Sequence, residues 1–330
     1  MDLSGFSGRS MVAVASAGLW ITTLLVVVEP SSADGPQIAS REVRVRDPLP
    51  GHEQVSKKKE SCSVDSGLLR SIGRKPGEQV RIYRNANDFA VFTVFETLEE
   101  ANESTVRIGR LGRLRIGPSD EFDGRITPTI PSEGLTETQA RERGEMIEHL
   151  TDDGTNTGLI IMAPHGGDLE TPTDLQAERL AEKLGGNRVS TWVCKAYHIR
   201  GGKSAFDRWH ITSTDISEAS YPLLGKVSTR KFEYAVSFHG MTDQRILIGG
   251  SAPTRLRTEI RDAIRQAIND PKIPVDLAMP GDANGGKDPK NIVNRYVNNG
   301  GVQIEQSSRA RKEHWKAIAD ALAKVYASKL

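Results

Sequence analysis

Two cysteines, Cys62 and Cys194, are too few in 330 residues for a disulfide-dense scaffold or a cysteine-built metal site. Export would allow them to pair, but Cys194 lies in the apolar run Trp192-Val193-Cys194, which reads as core and argues for a free thiol. Charge of one sign is lacking too. The 44 basic residues nearly balance 43 acidic ones, so a net +1 excludes wholesale nucleic-acid binding. No G-x-S-x-G elbow occurs, which excludes a serine hydrolase built on that turn. No H-E-x-x-H occurs either, which excludes a thermolysin-like metalloprotease. There is no internal repeat, and the length allows one or two domains.

What is present begins with one long apolar run. Arg9 precedes Met11 to Val28, and Ser31-Ser32-Ala33 places small residues ahead of Asp34. Residues 1–33 therefore read as a signal peptide or, because the run nears spanning length, an uncleaved membrane anchor. The expected location is secreted or extracytoplasmic, with membrane contact only through that anchor. Residues 34–78 are polar, carry Lys57-Lys58-Lys59 and read as a linker.

Residues 79–124 read as a small β-rich segment. Within it, Thr105 to Ile108 and Arg113 to Ile116 flank Gly109-Arg110-Leu111-Gly112, the pattern of a hairpin. That hairpin would put Arg107, Arg113 and Arg115 on one face, either solvated or a docking strip for an anionic polymer. From about Thr136 helices and strands alternate. Thr136 with Gln139 starts a helix to roughly Leu150, and Thr173 with Gln176 caps another that turns Leu175, Leu180 and Leu184 inward. Strands are expected at Gly158 to Ala163, Tyr234 to Phe238, Ile246 to Ile248 and Val302 to Glu305. Helices follow on Leu256, Ile260, Ile264 and Ile268, and on Trp315, Ile318, Leu322 and Val325. The fold class is α/β, a mixed central sheet flanked by helices.

Three polar residues end apolar strands: His165 after Ile160 to Pro164, His239 after Ala235 to Phe238, and Glu305 after Val302 to Ile304. Ligand crevices of open α/β sheets lie beyond the carboxyl ends of strands, where separate segments converge. Gly166 and Gly167 let the chain turn after His165 and bring Glu170 back beside it. Two imidazoles and a carboxylate are the ligand set of catalytic zinc hydrolases, so His165, Glu170 and His239 are metal-ligand candidates for Zn2+. Glu305 is then the candidate general base. His210, Arg208, Asn294 and Arg295 are candidate substrate-binding residues, the arginines because a guanidinium clamps a carboxylate. Asp168 is either an outer hydrogen-bond acceptor or plain loop polarity, and His52, His149, His198 and His314 carry no role.

The run Ala163-Pro164-His165-Gly166-Gly167-Asp168-Leu169-Glu170 resembles the signature of the poly-gamma-glutamate hydrolase family, whose fold is similar to zinc carboxypeptidases. Trp209 to Thr214, Ser237 to Gly240, and Gly301 to Glu305 followed by Arg309 match in the family's order, over roughly Thr127 to Tyr326. The resemblance implies His165, Glu170 and His239 as zinc ligands and Glu305 as the catalytic carboxylate. It also implies an anionic gamma-glutamyl polymer or peptide as substrate, with the hydrolase domain over 125–330. The alternatives are a cell-wall peptide amidase or peptidase of the same fold, and an inactive binding module.

Overall fold

The computed structural model describes residues 40–99, 104–117 and 119–330. The leader expected over residues 1–33 lies outside the described residues. Among the described residues no helix is long and apolar enough to cross a membrane.

Six strands close into a barrel: β1 (Arg41–Arg46), β2 (Ser61–Asp65), β3 (Gln79–Tyr83), β4 (Phe89–Leu98), β5 (Thr105–Ile108) and β6 (Phe122–Thr127). Their order is β1-β5-β2-β4-β3-β6, and antiparallel pairing of β1 with β6 seals it. The pairs β1–β5 and β2–β4 are parallel, so the barrel is not a chain of hairpins. Its interior is filled by Val43, Val64, Ile82, Phe92, Val106 and Ile126, with Cys62 among them.

Two expectations change here. Within the expected linker over 34–78, β1 and β2 belong to the barrel; in Arg41–Arg46 the alternation puts Val43 and Val45 inside and charged neighbours outside. Likewise, the expected hairpin ends after β5, and Arg110–Ile116 is a helix. Gly112 permits it: a Cβ there would lie 2.5 Å from the Ile108 side chain and 3.1 Å from Phe92. The helix buries Arg113 and Arg115, so the docking strip does not exist. Arg113 pairs with Asp47, and Arg107 donates to the Asp47 carbonyl.

The larger sheet contains β7 (Met146–Thr151), β8 (Leu159–Gly167), β9 (Val189–Ala196), β10 (Tyr234–Met241), β11 (Ile246–Gly250), β12 (Val275–Leu277) and β13 (Val302–Ser307). The order is β12-β11-β13-β10-β8-β9-β7. Strands β9, β8, β10 and β13 run parallel, while β7 is antiparallel to β9 and β11 to β13, with β12 parallel to β11, which makes the sheet mixed. One face is covered by the helices Thr173–Leu184, Thr254–Ile268 and Ser308–Ala327. The other packs Met162, Trp192, Trp209 and Phe232 together with Phe89 and Val91 of β4, so barrel and sheet share a core.

Local details differ from expectation in three places. The helix capped by Thr136 ends at Arg143, because Gly144 takes a left-handed φ of 63° and the chain turns into β7. Pro172, not Thr173, stands at the start of the next helix, and the Thr173 hydroxyl bonds the His165 carbonyl. Leu175 is exposed while Leu180 and Leu184 are buried. Cys62 and Cys194 are both free and buried.

Candidate metal centre

Strands β8, β10 and β13 lie side by side and parallel, so their carboxyl ends open on one crevice. His239 and Glu305 are register partners across β10 and β13. On β8, Gly166 lets the strand pass the Asp174 side chain and the Cys194 carbonyl, each of which a Cβ would approach to 2.6 Å. The turn that follows closes with the Glu170 amide donating to the His165 carbonyl at 2.9 Å.

The three ligand candidates converge. His165 Nδ1 is 3.2 Å from Glu170 Oε1 and 3.3 Å from His239 Nδ1, and His239 Nδ1 is 3.6 Å from Glu170 Oε2. Donor atoms held at about 2.0–2.1 Å from one tetrahedral ion would be about 3.3 Å apart. The observed spacing therefore fits a small cation. Each side chain is also oriented from behind. His165 Nε2 meets the Ile211 carbonyl at 3.0 Å, which assigns the proton to Nε2 and leaves Nδ1 to the centre. Glu170 Oε2 accepts from the Gly240 amide at 2.8 Å.

The electrostatics agree. Burial disfavours charge on His165, but the Glu170 carboxylate outweighs it and raises His165 to about 9. Glu170 is itself held well below the usual carboxylate range: burial opposes this, and His165 and His239 overcome it. Burial lowers His239 despite Glu170, and its Nε2 is a buried nitrogen without a hydrogen-bond partner. The field that keeps a proton on His165 would equally hold a cation.

Glu305 stands beside this group. Burial first, then the Glu170 charge, pushes its carboxyl up to about 8. A cation bound to Glu170 would remove the second cause. Gln303 Nε2 donates to Glu305 Oε1 at 2.9 Å and fixes its orientation. All four residues line a cavity of about 900 Å3, walled on one side by the loop from Met279 to Asp288.

Of the four substrate-binding candidates, only His210 faces this cavity. His165, Glu170 and His210 could also be grouped around a cation, with ligand atoms within 4.8 Å of one another. His239 Nδ1 stands 3.3 Å from His165 Nδ1 and 3.6 Å from Glu170 Oε2, while His210 Nδ1 is engaged by Glu60 at 2.6 Å and has only Nε2 left to offer. Arg208 is buried with its guanidinium 3.9 Å from the centre of the Phe89 ring, in the shared core. Asn294 bonds the Gly286 and Asp288 carbonyls and braces the loop from behind. Arg295 pairs with Glu218 in a separate groove. Asp168 turns away to His198, at 2.6 Å.

Two site residues escaped the sequence reading. Arg311 lines the cavity, held by the Thr171 carbonyl at 3.0 Å and the Gln306 carbonyl at 2.6 Å. It rests on Gly240, where a Cβ would fall 2.0 Å from the guanidinium, and that glycine after His239 is the one sequence signal for it. Glu60, from the barrel, has no local signal.

The family model described as poly-gamma-glutamate hydrolase matches residues 134–325. The SPbeta prophage-derived UPF0714 protein YoqZ of Bacillus subtilis (strain 168) is 26% identical over 158 residues, 47% of this chain and 51% of that protein. The match thus spans about half the length of that relative. Among solved structures, a bacteriophage poly-gamma-glutamate hydrolase is 26% identical, with a TM-score of 0.45 over 56% of this chain and 89% of the other. Zinc-free, apo YNDL is 20% identical, with a TM-score of 0.43 over 55% of this chain and 88% of the other.

Proposed function

The chain belongs to the poly-gamma-glutamate hydrolase family, and on that premise we propose that it is an exported, zinc-dependent hydrolase of gamma-glutamyl amide bonds. The observation that carries the reading is the spacing of His165, Glu170 and His239 donor atoms, 3.2, 3.3 and 3.6 Å, with Glu305 beside them in one cavity. Those three residues would hold the metal. Zinc there would supply Lewis acidity, acidifying the attacking water and polarising the scissile carbonyl.

The remaining work falls to the chain's own groups. Glu305 accepts a proton from water as its oxygen bonds to the gamma-carbonyl carbon, and returns it to the amine nitrogen as the C–N bond breaks. The products are a new gamma-carboxylate and a free amine. Gln303 keeps one Glu305 oxygen occupied, so the carboxyl presents a fixed edge to the reaction. Arg311 and Lys287 bring positive charge to the cavity wall, suited to the free carboxylates of a gamma-glutamyl polymer or peptide. Export rests on the sequence pattern from Arg9 to Asp34.

Metal analysis and kinetics test the proposal together. Purified protein is expected to carry one zinc and to lose hydrolysis of gamma-linked glutamate oligomers on chelation, with recovery on adding zinc. Glu305→Gln should keep the zinc and lose about 10²–10⁴-fold in kcat, the usual worth of a general base. Equal activity with and without metal would remove zinc from the reading. Cleavage of cell-wall peptides but not of gamma-linked oligomers would transfer the substrate to the alternative.

A further inference from the structure

The barrel precedes the residues matched by the family, 134–325, yet it reaches the active site. Glu60, immediately before β2, is buried and accepts three hydrogen bonds from the segment that crosses the cavity wall. They come from His210 Nδ1 at 2.6 Å, the Thr212 amide at 3.1 Å and the Thr212 hydroxyl at 3.0 Å. Arg115, also from the barrel, donates to the carbonyls at both ends of the same turn, Asp207 at 2.8 Å and His210 at 2.9 Å. Between the anchored positions lies Ile211, whose carbonyl orients His165.

The His210 ring is held on its flanks as well. It stacks on Phe206 with centroids 4.2 Å apart and lies 4.5 Å from the His165 ring. A carboxylate offers only acceptors, so the nitrogen facing Glu60 must carry a proton. That leaves Nε2, which has no hydrogen-bond partner among the described residues, on a ring that lines the cavity.

We propose that Glu60 is a positioning residue of this active site: it holds His210 with Nδ1 protonated, so that Nε2 accepts the N–H of the scissile amide. Through Thr212 it also fixes the Ile211 carbonyl behind His165. The catalytic site is therefore built by the larger sheet and the barrel together. This rests on the reading of the His165 centre as a hydrolase site.

Glu60→Gln breaks the arrangement with little change in shape. A glutamine has one acceptor oxygen, which Thr212 occupies with its two donors, and its amide NH2 then faces His210 Nδ1. That nitrogen must become an acceptor, and the proton moves to Nε2, which would point a donor at the substrate. The readout is imidazole nitrogen NMR of the 15N-labelled, zinc-loaded full chain, with His210 identified among the seven histidines by the signal lost in His210→Asn. Wild type should show His210 protonated on Nδ1, and Glu60→Gln should show it on Nε2. Kinetically, Glu60→Gln should lose about 10–100-fold in kcat on gamma-linked oligomers, with KM changed less than about threefold and zinc retained. Thr212→Val, which removes one hydroxyl, should lose less and leave the tautomer as in wild type. An unchanged His210 tautomer in Glu60→Gln, or an unchanged kcat, overturns the proposal. So does loss of zinc from His210→Asn, which would make the ring a ligand. Because the nitrogen signals do not depend on turnover, a wild type without hydrolysis would sink the functional reading and leave the Glu60–His210 arm decided separately.

Discussion

Arg115 in the barrel and His239 at the end of β10 are equally buried, each 3% exposed, but they are treated in opposite ways. The Arg115 guanidinium donates to four backbone carbonyls, those of Lys59, Val91, Asp207 and His210, and stacks over Phe92. His239 shares Glu170 with His165 and leaves Nε2 unpartnered. A buried polar group that is fully satisfied holds a fold together. A crowd of ionisable groups with too few partners destabilises the fold unless a ligand completes it. The contrast separates the part of the molecule built for rigidity from the part left open for chemistry.

Two substitutions press on that contrast. Replacing His239 by Leu should abolish zinc binding and reduce hydrolysis by at least about 10³-fold, the scale seen when a principal electrostatic element is removed. It should nonetheless cost the chelated protein little stability, because the unsatisfied Nε2 it removes offsets the lost contact to Glu170. Chemical denaturation of both metal-free proteins checks this, and a clear loss of stability would mean that His239 belongs to the rigid class. Arg115→Leu should behave in the reverse sense. It strands four carbonyls and is expected to cost about 3 kcal/mol or more of stability, read from urea midpoints.

The same contrast explains what could be read in the sequence. His165, His239 and Glu305 were legible because each ends an apolar run, and parallel strands deliver such positions to one edge. Glu170 followed from the glycine-flexed turn and from the family resemblance. Arg311 was not legible, since its position depends on how the helix Ser308–Ala327 lies against Gly240. Glu60 is separated from His210 by 150 residues, and no local pattern announces such a contact. The first two barrel strands, β1 and β2, were missed for a related reason. Strand β1 is short and charged on one face, and β1 and β2 pair with β5, β6 and β4, which lie far along the chain. The run Arg113 to Ile116 carries alternation that suits a strand, but the chain from Arg110 to Ile116 is a helix, which Gly112 permits by having no Cβ to meet Ile108 and Phe92.

The junction between the two regions has its own acid sensitivity. Burial would raise the Glu60 carboxyl, but the His210 hydrogen bond, the charge that ring gains once acid protonates it, Arg115 and Thr212 lower it from 4.5 to about 2. A folded-state value below the ordinary one means that the stabilisation is complete above about pH 4.5 and fades as pH falls through about 2. At roughly 1.4 kcal/mol per pKa unit, it amounts to about 3 kcal/mol at most. The stability gap between wild type and Glu60→Gln should therefore close on acidification through this window. A gap that does not change with pH would show that the carboxylate charge contributes nothing to the junction.

The smallest effect is expected where an arginine is satisfied and also remote from the chemistry. Arg295 was a substrate-clamp candidate because it precedes Glu305 in the chain. Its guanidinium pairs with Glu218 at 3.1 Å, however, and donates to the Ile216 carbonyl at 2.6 Å. It does not line the cavity of His165 and Glu305. With its charge already matched, it has little attraction to offer a substrate carboxylate. Arg295→Gln should thus change kcat/KM on gamma-linked oligomers by less than about threefold and cost about 1 kcal/mol of stability through the lost ion pair. Arg311→Gln, whose guanidinium does line the cavity, should raise KM about tenfold or more if it holds a substrate carboxylate. Equal losses in the two variants would mean that substrate extends from the cavity into the groove beside Glu218, and that a satisfied arginine can still serve binding.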